Sequence, residues 1–179
     1  MNIGLRAQKG GAVLVAVEGT QILYSGLLKT HQEGDPLSFE PYRVAFEMRK
    51  SPETAAMVTE GRRRQDRLAA EALRQWIEQI GRPVVAALLI NRAGWISDLL
   101  EYSLDWAEHV PVAELLAVRQ ALRYATDQCG IRRVELDEKS LPAMAAANKL
   151  EPPLKPPAFK PWRKEQKLAC LAAQVAAGS

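Results

Sequence analysis

The sequence predicts an α/β domain in which helices flank a mixed β-sheet. Three short apolar runs separated by glycine-containing turns predict an antiparallel meander; they are Asn2–Gln8, residues 12–18 and Gln21–Lys29. A long helical pattern follows them, and residues 83–91 (PVVAALLIN) then form a near-continuous apolar run, typical of a central strand covered on both faces. A helix between the meander and this strand is a crossover unit, which makes part of the sheet parallel.

The longest helix is predicted to begin at Ser51. Serine is a favourable N-cap residue, and Pro52 follows at a position where a missing N–H costs nothing. Gly61 is a candidate interruption of this helix, and Gly81 is expected to end it. Residues 31–50 mix glycine, aspartate, proline and charged side chains, so we expect a loop before the helix.

The second half of the chain alternates helical and extended patterns. The predicted elements are a broken amphipathic helix at 95–106, a helix from Pro111 to Gly130, a strand at 133–137 and a helix at 140–148. Residues 151–161 (EPPLKPPAFKP) contain too many prolines for regular structure. We therefore divide the chain into a domain at 1–150, a Pro-rich strap at 151–161 and a C-terminal helix at 162–179 that packs on the same domain.

Composition restricts the class of protein. The 179 residues are 47% hydrophobic and 25% charged, enough for one buried core, and the formal net charge of +3 is only a weak preference for anionic partners. Cys129 and Cys170 are too few for a disulfide scaffold and lie in apolar helical patterns, which predicts structural thiols in a reducing cytoplasm. No run is apolar enough for a membrane span, and we expect a cytoplasmic protein without membrane contact.

Cofactor motifs are not found in the sequence. The pair Gly10 and Gly11 lacks the following helix and the Lys-Ser/Thr pair of a phosphate-binding loop. His31 and His109 have no Cys, His, Asp or Glu at metal-ligand spacing. We therefore expect no cofactor and no metal.

Four stretches resemble the ribonuclease-H-like superfamily, and within it the RuvC-type Holliday junction resolvases. Residues 1–11 resemble the first strand and turn, 85–91 the fourth strand, 114–126 the following helix and 163–173 the final helix. The resemblance implies a ribonuclease-H-like sheet, with a three-strand antiparallel meander followed by parallel strands, and a homodimer. It also implies cleavage of nucleic acid by two divalent metal ions held by clustered Asp and Glu residues.

The positions that match this family's acids carry other residues here. Arg6 stands where the first strand would supply an aspartate, and Asn91 stands near the expected glutamate of the fourth strand. Lys164 and Lys167 align with the two aspartates of the final helix. Because arginine, asparagine and lysine cannot hold two metal ions, we interpret these four positions as a degenerate site without catalytic residues, which favours a protein that is not an enzyme.

Fixed cations in place of bound metal predict a protein that binds a nucleic-acid phosphate without hydrolysing it. The leading hypothesis is a nuclease-dead RuvC-like accessory factor that binds branched or duplex DNA. Two alternatives stay open: a structural or protein-interaction subunit, and a divergent metal-dependent nuclease with relocated acids such as Glu18, Glu47, Asp137 or Glu138. The alternative for the four substituted positions is that they are ordinary solvated charges on the surface, or pair with Glu165, Glu18 or Asp137.

Two further basic stretches are candidate nucleic-acid contacts. The long helix carries Arg62, Arg63, Arg64 and Arg67, and the tail carries Lys160, Trp162 and Arg163. Arginines can hold phosphates and a tryptophan can stack on bases. The alternatives are a solvated helix face for the first group and a strap that pins the terminal helix for the second.

Overall fold

A mixed five-stranded sheet forms the centre of the computed structural model, which describes residues 1–49, 51–91, 95–152 and 159–178. The strands are β1 (Asn2–Gln8), β2 (Gly11–Glu18), β3 (Gln21–Lys29), β4 (Val85–Ile90) and β5 (Arg132–Asp137). Their order is β3-β2-β1-β4-β5; β1, β2 and β3 pair antiparallel, whereas β4 is parallel to both β1 and β5. The predicted mixed sheet, meander first and parallel strands second, is confirmed.

Helices cover both faces of the sheet. They are α1 (Pro36–Phe39), α2 (Pro41–Met48), α3 (Thr54–Ile80), α4 (Leu99–Asp105), α5 (Val110–Gln128), α6 (Leu141–Ala147) and α7 (Lys164–Ala177), with a 3-10 turn at Ala107–His109. Alternate residues of β1 and β2, such as Ile3 and Leu14, pack in one core with α3 and α5. The intervening residues, such as Val15, pack on α7. The two faces of the sheet are therefore distinct environments.

The sheet and α7 approach each other most closely at Gly4. A Cβ atom at this position would overlap the carbonyl oxygen of Ala169 in α7. Only glycine leaves room for the helix backbone here, so this residue sets the distance between β1 and the helix. The same helix contacts β2 and β4, which makes it part of the sheet's second layer.

Residues 31–50 were expected to form a loop, and this expectation is wrong for most of them, because α1 and α2 lie there. The Asp35 carboxylate accepts a hydrogen bond from the Leu37 N–H at 3.2 Å and so caps α1. The N-terminus of α2 is capped by a distant residue, since Glu114 of α5 accepts from the Arg43 N–H at 2.8 Å. Gly61 does not interrupt α3; a Cβ there would collide with the Leu37 carbonyl oxygen.

The long helix begins at Thr54 rather than at Ser51. Residues 51–53 form a turn in which the Ser51 carbonyl accepts from the Thr54 N–H at 3.2 Å. The Thr54 hydroxyl donates to the Arg49 carbonyl at 2.9 Å and accepts from the Ser51 N–H. The threonine hydroxyl thus satisfies the backbone of the turn, and the serine does not cap the helix.

Most of the predicted Pro-rich strap, residues 153–158, lies outside the described residues. Cys129 and Cys170 are both buried and unpaired as thiols. None of the described helices is long and apolar enough to cross a bilayer.

Candidate nucleic-acid interface

The carboxyl ends of the parallel strands meet at one edge of the sheet. Arg6, near the end of β1, is in register with Leu89 of β4, and Ile90 is in register with Asp137 of β5. The Ile90 carbonyl then accepts a hydrogen bond from the Glu138 N–H at 2.9 Å. This edge is where side chains from several strands can converge on one ligand.

Arg6 is bound by a single carboxylate at this edge. Its Nε donates to Glu138 Oε2 at 3.1 Å and its Nη2 donates to Oε1 at 3.0 Å. The two side chains are 24% and 19% exposed, so the pair is shielded from much of the solvent without being sealed. This two-point contact fixes the guanidinium at the end of β1, across β4 from its partner.

A groove of about 580 Å³ opens beside Arg6 on the face of the sheet that α7 covers. Its charged lining residues are Arg6, Lys160, Arg163 and Glu165. Gln8, Val13, Ser25, Gly26, Leu27, Pro161 and Gln166 complete it. Three cations against one acid give the groove an excess of positive charge, even with Arg6 partly offset by Glu138.

The amino end of α7 forms one wall of this groove. Arg163 is exposed at the position before the helix, and its backbone N–H donates to the Gln166 side-chain oxygen at 2.9 Å. Lys160 is also exposed. Trp162 is half-buried and packs against the apolar cluster around Val13, which anchors this segment to the sheet.

The structure brings only some of the predicted site residues together. Arg6 shares the groove with Lys160 and Arg163. Asn91 also lies at the carboxyl edge, but it lines a different cavity on the face covered by α3 and α5. Lys164 is exposed and Lys167 half-exposed on the first turns of α7, and neither lines these two cavities.

The acids suggested as relocated metal ligands do not all meet: Asp137 and Glu138 are adjacent at the carboxyl edge, whereas the other two lie on β2 and α2. Glu18 lies at the opposite end of the sheet, with a carboxylate oxygen 3.6 Å from the amino terminus, so it cannot reach the carboxyl edge. Glu47 is exposed on α2, and Asp137 accepts from the Lys139 N–H in the turn after β5. Glu138 binds Arg6.

The metal pair implied by the resemblance does not fit these residues. Within 1–49, 51–91, 95–152 and 159–178, no three His, Cys, Asp or Glu residues lie close enough together to hold an ion. At the first expected ligand position the guanidinium of Arg6 already neutralises the nearest carboxylate, Glu138. A divalent cation would have to compete with that guanidinium for the same oxygens.

Three of the four arginines predicted as a patch on α3 are in ion pairs. Arg63 and Arg64 both donate to Glu60, at 2.8 Å through each Nε, and Arg64 also reaches Asp35. Arg67 contacts Glu71 at 3.4 Å. The hydrogen bonds from Arg63 and Arg64 lower the pKa of Glu60 to about 2. The patch is therefore interspersed with acids.

Arg62, the fourth, faces the cavity that Asn91 also lines, and this cavity holds a residue that the sequence analysis missed. Arg119 of α5 is only 4% exposed and lines the same space. The sequence spacing could have identified this residue. Leu115, Leu116 and Leu122 lie three and four positions from Arg119, which places it on the apolar face of α5.

Comparison with known proteins relates this architecture to two solved structures. A Thermus thermophilus RuvC in complex with a Holliday junction substrate is 12% identical, with a TM-score of 0.50, and the match covers 98% of this chain and 90% of that one. A second Thermus thermophilus RuvC structure is 14% identical, with a TM-score of 0.45 over 98% and 92% of the two chains. No protein-family model and no curated protein matches the sequence. The chain therefore has a ribonuclease-H-like fold of the RuvC type.

Proposed function

We propose that this protein binds nucleic acid through the groove beside α7 and does not hydrolyse it. The observation that carries the proposal is the position of Arg6. Its guanidinium is fixed at the carboxyl end of the central strand, in a groove that it shares with Lys160 and Arg163.

The groove has the chemistry that phosphates require. Lys160 and Arg163 are exposed cations at its rim, free to approach a phosphate backbone. Neutralising phosphates with such side chains releases counterions, which supplies affinity without base recognition. The amino end of α7 adds backbone N–H groups and the positive end of a helix dipole to the same wall.

The same cation supports the proposed absence of hydrolysis. Two-metal cleavage requires ions that bind the phosphate, activate a water and stabilise the leaving oxygen. A guanidinium can bind and polarise a phosphate, but it cannot lower the pKa of a coordinated water. Arg6 occupies the first ligand position and Glu138 is bound to it. We therefore propose that the site binds a phosphate and does not cleave it.

The form of nucleic acid we propose is branched or duplex DNA, with the protein acting as an accessory factor. The RuvC structure with a comparable fold is a complex with a Holliday junction, so a four-way junction is the first ligand to test. A homodimer is part of this proposal, because it would present two grooves to the arms of a junction. Light scattering on the purified chain measures the oligomeric state directly.

The test is an electrophoretic mobility shift with a labelled four-way junction and a matched duplex, incubated in Mg²⁺ or Mn²⁺. We expect a shifted complex that weakens steeply with salt and an intact strand on a denaturing gel. Specific metal-dependent cleavage would establish the divergent nuclease instead. If neither DNA is shifted at low salt, the proposal of nucleic-acid binding is wrong.

The arginines of α3 are the second contact that we propose, weaker than the groove because Glu60, Asp35 and Glu71 offset them. A triple Arg63, Arg64 and Arg67 to Ala variant tests it in the same mobility shift. We expect this variant to reduce the salt dependence of binding less than substitution of Lys160 and Arg163 in the groove does. An unchanged salt dependence would assign these side chains to solvent.

A protein-interaction subunit is the second candidate function, and exposed aromatic residues favour it. Trp95 is 72% exposed and Trp106 is 65% exposed, which is unusual for such large apolar side chains. Trp95 stacks edge-on against Tyr102 at 5.3 Å between ring centroids. A Trp95 and Trp106 to Ser double variant that loses a stable partner while keeping DNA binding would assign this surface to protein contact.

A further inference from the structure

The cavity on the other side of the sheet is separate from the groove. It has a volume of about 750 Å³ and lies between α3, α4, α5 and the end of β4. Apolar side chains such as Val58, Ile96 and Leu116 form much of the wall. Space of this size with a mixed lining is typical of a site for a small molecule of nucleotide size.

Arg119 is the unusual member of this wall. It is 4% exposed, and its Nε has no hydrogen-bond partner among the described residues. No carboxylate in that part of the chain forms an ion pair with it; Glu138, the acid that most favours its charged form, is already bound by Arg6. Burial lowers the pKa of Arg119, and the charges of Glu138 and Glu135 oppose this effect only in part. A buried cation without a partner is costly unless a ligand supplies the anion.

The neighbouring charges support an anion in this cavity. Arg62 lines it, as does Tyr42, whose hydroxyl stays neutral because burial raises its pKa. Arg123 lines it as well, but its guanidinium is held by Glu135 at 2.6 and 2.9 Å. The carboxylate in the lining, Asp98, is engaged as the N-cap of α4, where it accepts from the Glu101 N–H at 2.9 Å.

We propose that this cavity binds a small phosphate ester of nucleotide size, with Arg119 holding the phosphate and Arg62 assisting it. The fork of N–H donors on a guanidinium matches phosphate oxygens, and two arginines match the charge of a phosphate monoester. The apolar wall would then contact the uncharged part of the ligand. This site does not depend on the groove, so its test is independent of the proposed function.

The experiment is calorimetric titration of the full chain with three probes: inorganic phosphate, deoxyadenosine monophosphate, and a 5′-phosphorylated hexanucleotide beside its unphosphorylated form. The variant is Arg119→Met, which keeps an unbranched apolar stem and removes the charged guanidinium. Arg74→Met, an exposed cation on α3 outside this cavity, is the matched control. Arg119→Lys keeps the charge but not the fork.

We expect a phosphate-bearing probe to bind the wild type and the control equally, and Arg119→Met at least tenfold more weakly, as for loss of a charge-assisted hydrogen bond. Preference for the mononucleotide identifies a free nucleotide as the source, and preference for the phosphorylated oligonucleotide identifies a strand end. Arg119→Met should melt no lower than the wild type, because it removes a buried charge that has no ion-pair partner among the described residues.

Two results would overturn the proposal. The first is no binding of any probe at millimolar concentration, and the second is binding that Arg119→Met leaves unchanged. If Arg119→Met does not fold, Arg119→Lys decides: affinity equal to the wild type would show that the guanidinium does not hold the phosphate.

Discussion

Arg6 and Glu138 join β1 to the end of β5 across the intervening strand β4, through two hydrogen bonds of 3.0 and 3.1 Å. The pair bridges the carboxyl edge of the sheet on either side of β4. As a result, the orientation of the Arg6 guanidinium is fixed, and only part of its charge is neutralised within the groove.

The charge of Arg6 in the groove is controlled by its partner. Glu138→Gln keeps a hydrogen-bond acceptor beside the guanidinium and removes the negative charge, so we expect DNA affinity to rise severalfold at low salt. Arg6→Gln should lower it. Fluorescence anisotropy with a labelled junction measures both, and a decrease for Glu138→Gln would show that Arg6 does not face the nucleic acid.

The close approach at Gly4 makes this position intolerant of any side chain. Gly4→Ala places a methyl group on the carbonyl oxygen of Ala169, so β1 and α7 must separate. We expect a loss of about 3 kcal/mol or more in the free energy of unfolding, measured by urea denaturation. Gly178→Ala, which meets no atom closer than 3.8 Å, is the control and should change little. Equal stability of the two variants would contradict the packing described.

Glu114 makes stability depend on pH. Burial raises the pKa of its carboxyl to about 7, against the lowering effect of the Arg43 N–H that it caps, while an unfolded glutamate titrates near about 4.3. The folded state therefore keeps a proton that the unfolded state loses. Stability should fall as pH rises from about 4 to about 7, by a total of roughly 4 kcal/mol from this group.

The variant that tests this dependence is Glu114→Gln, which stays neutral and can still accept from the backbone. Its free energy of unfolding should equal or exceed that of the wild type at pH 8, and the difference should shrink towards pH 5. Glu101→Gln, on the exposed side of α4, is the control. A difference between Glu114→Gln and wild type that does not vary with pH would exclude a raised pKa.

The two thiols should be unreactive in the native protein. Burial raises the pKa of Cys170 to about 12 and also raises that of Cys129, so neither is present as thiolate near neutral pH. We expect no labelling by a thiol reagent until the chain is unfolded, when two equivalents react. Rapid native labelling of Cys170 would mean that α7 detaches from the sheet.

The sequence predicted the sheet because its strands are local apolar runs. Asn2–Gln8 and Gln21–Lys29 begin and end where the pattern indicates. By contrast, α2 is capped by Glu114, which lies 71 positions away in the sequence, and the spacing of apolar residues cannot reveal such a contact. Sequence patterns therefore located the layers of the fold but not the short helices packed by tertiary contacts.

The candidate site was only partly predictable for the same reason. Arg6 was recognised as a substitution, but its pairing with Glu138 joins residues 132 positions apart. The charges of Lys160 and Arg163 are visible in the sequence, whereas their meeting with Arg6 depends on how α7 crosses the sheet at Gly4. Spatial convergence of this kind is a property of the packing, which composition and spacing do not contain.

The most direct test of the central claim is the salt dependence of junction binding, compared between wild type, a Lys160→Ala and Arg163→Ala double variant, and the control Arg74→Ala. Each phosphate contact contributes about 0.9 to the slope of log affinity against log salt concentration. We predict that the double variant loses nearly two such contacts and that Arg74→Ala keeps the wild-type slope. An unchanged slope in the double variant would contradict binding through the groove beside Arg6.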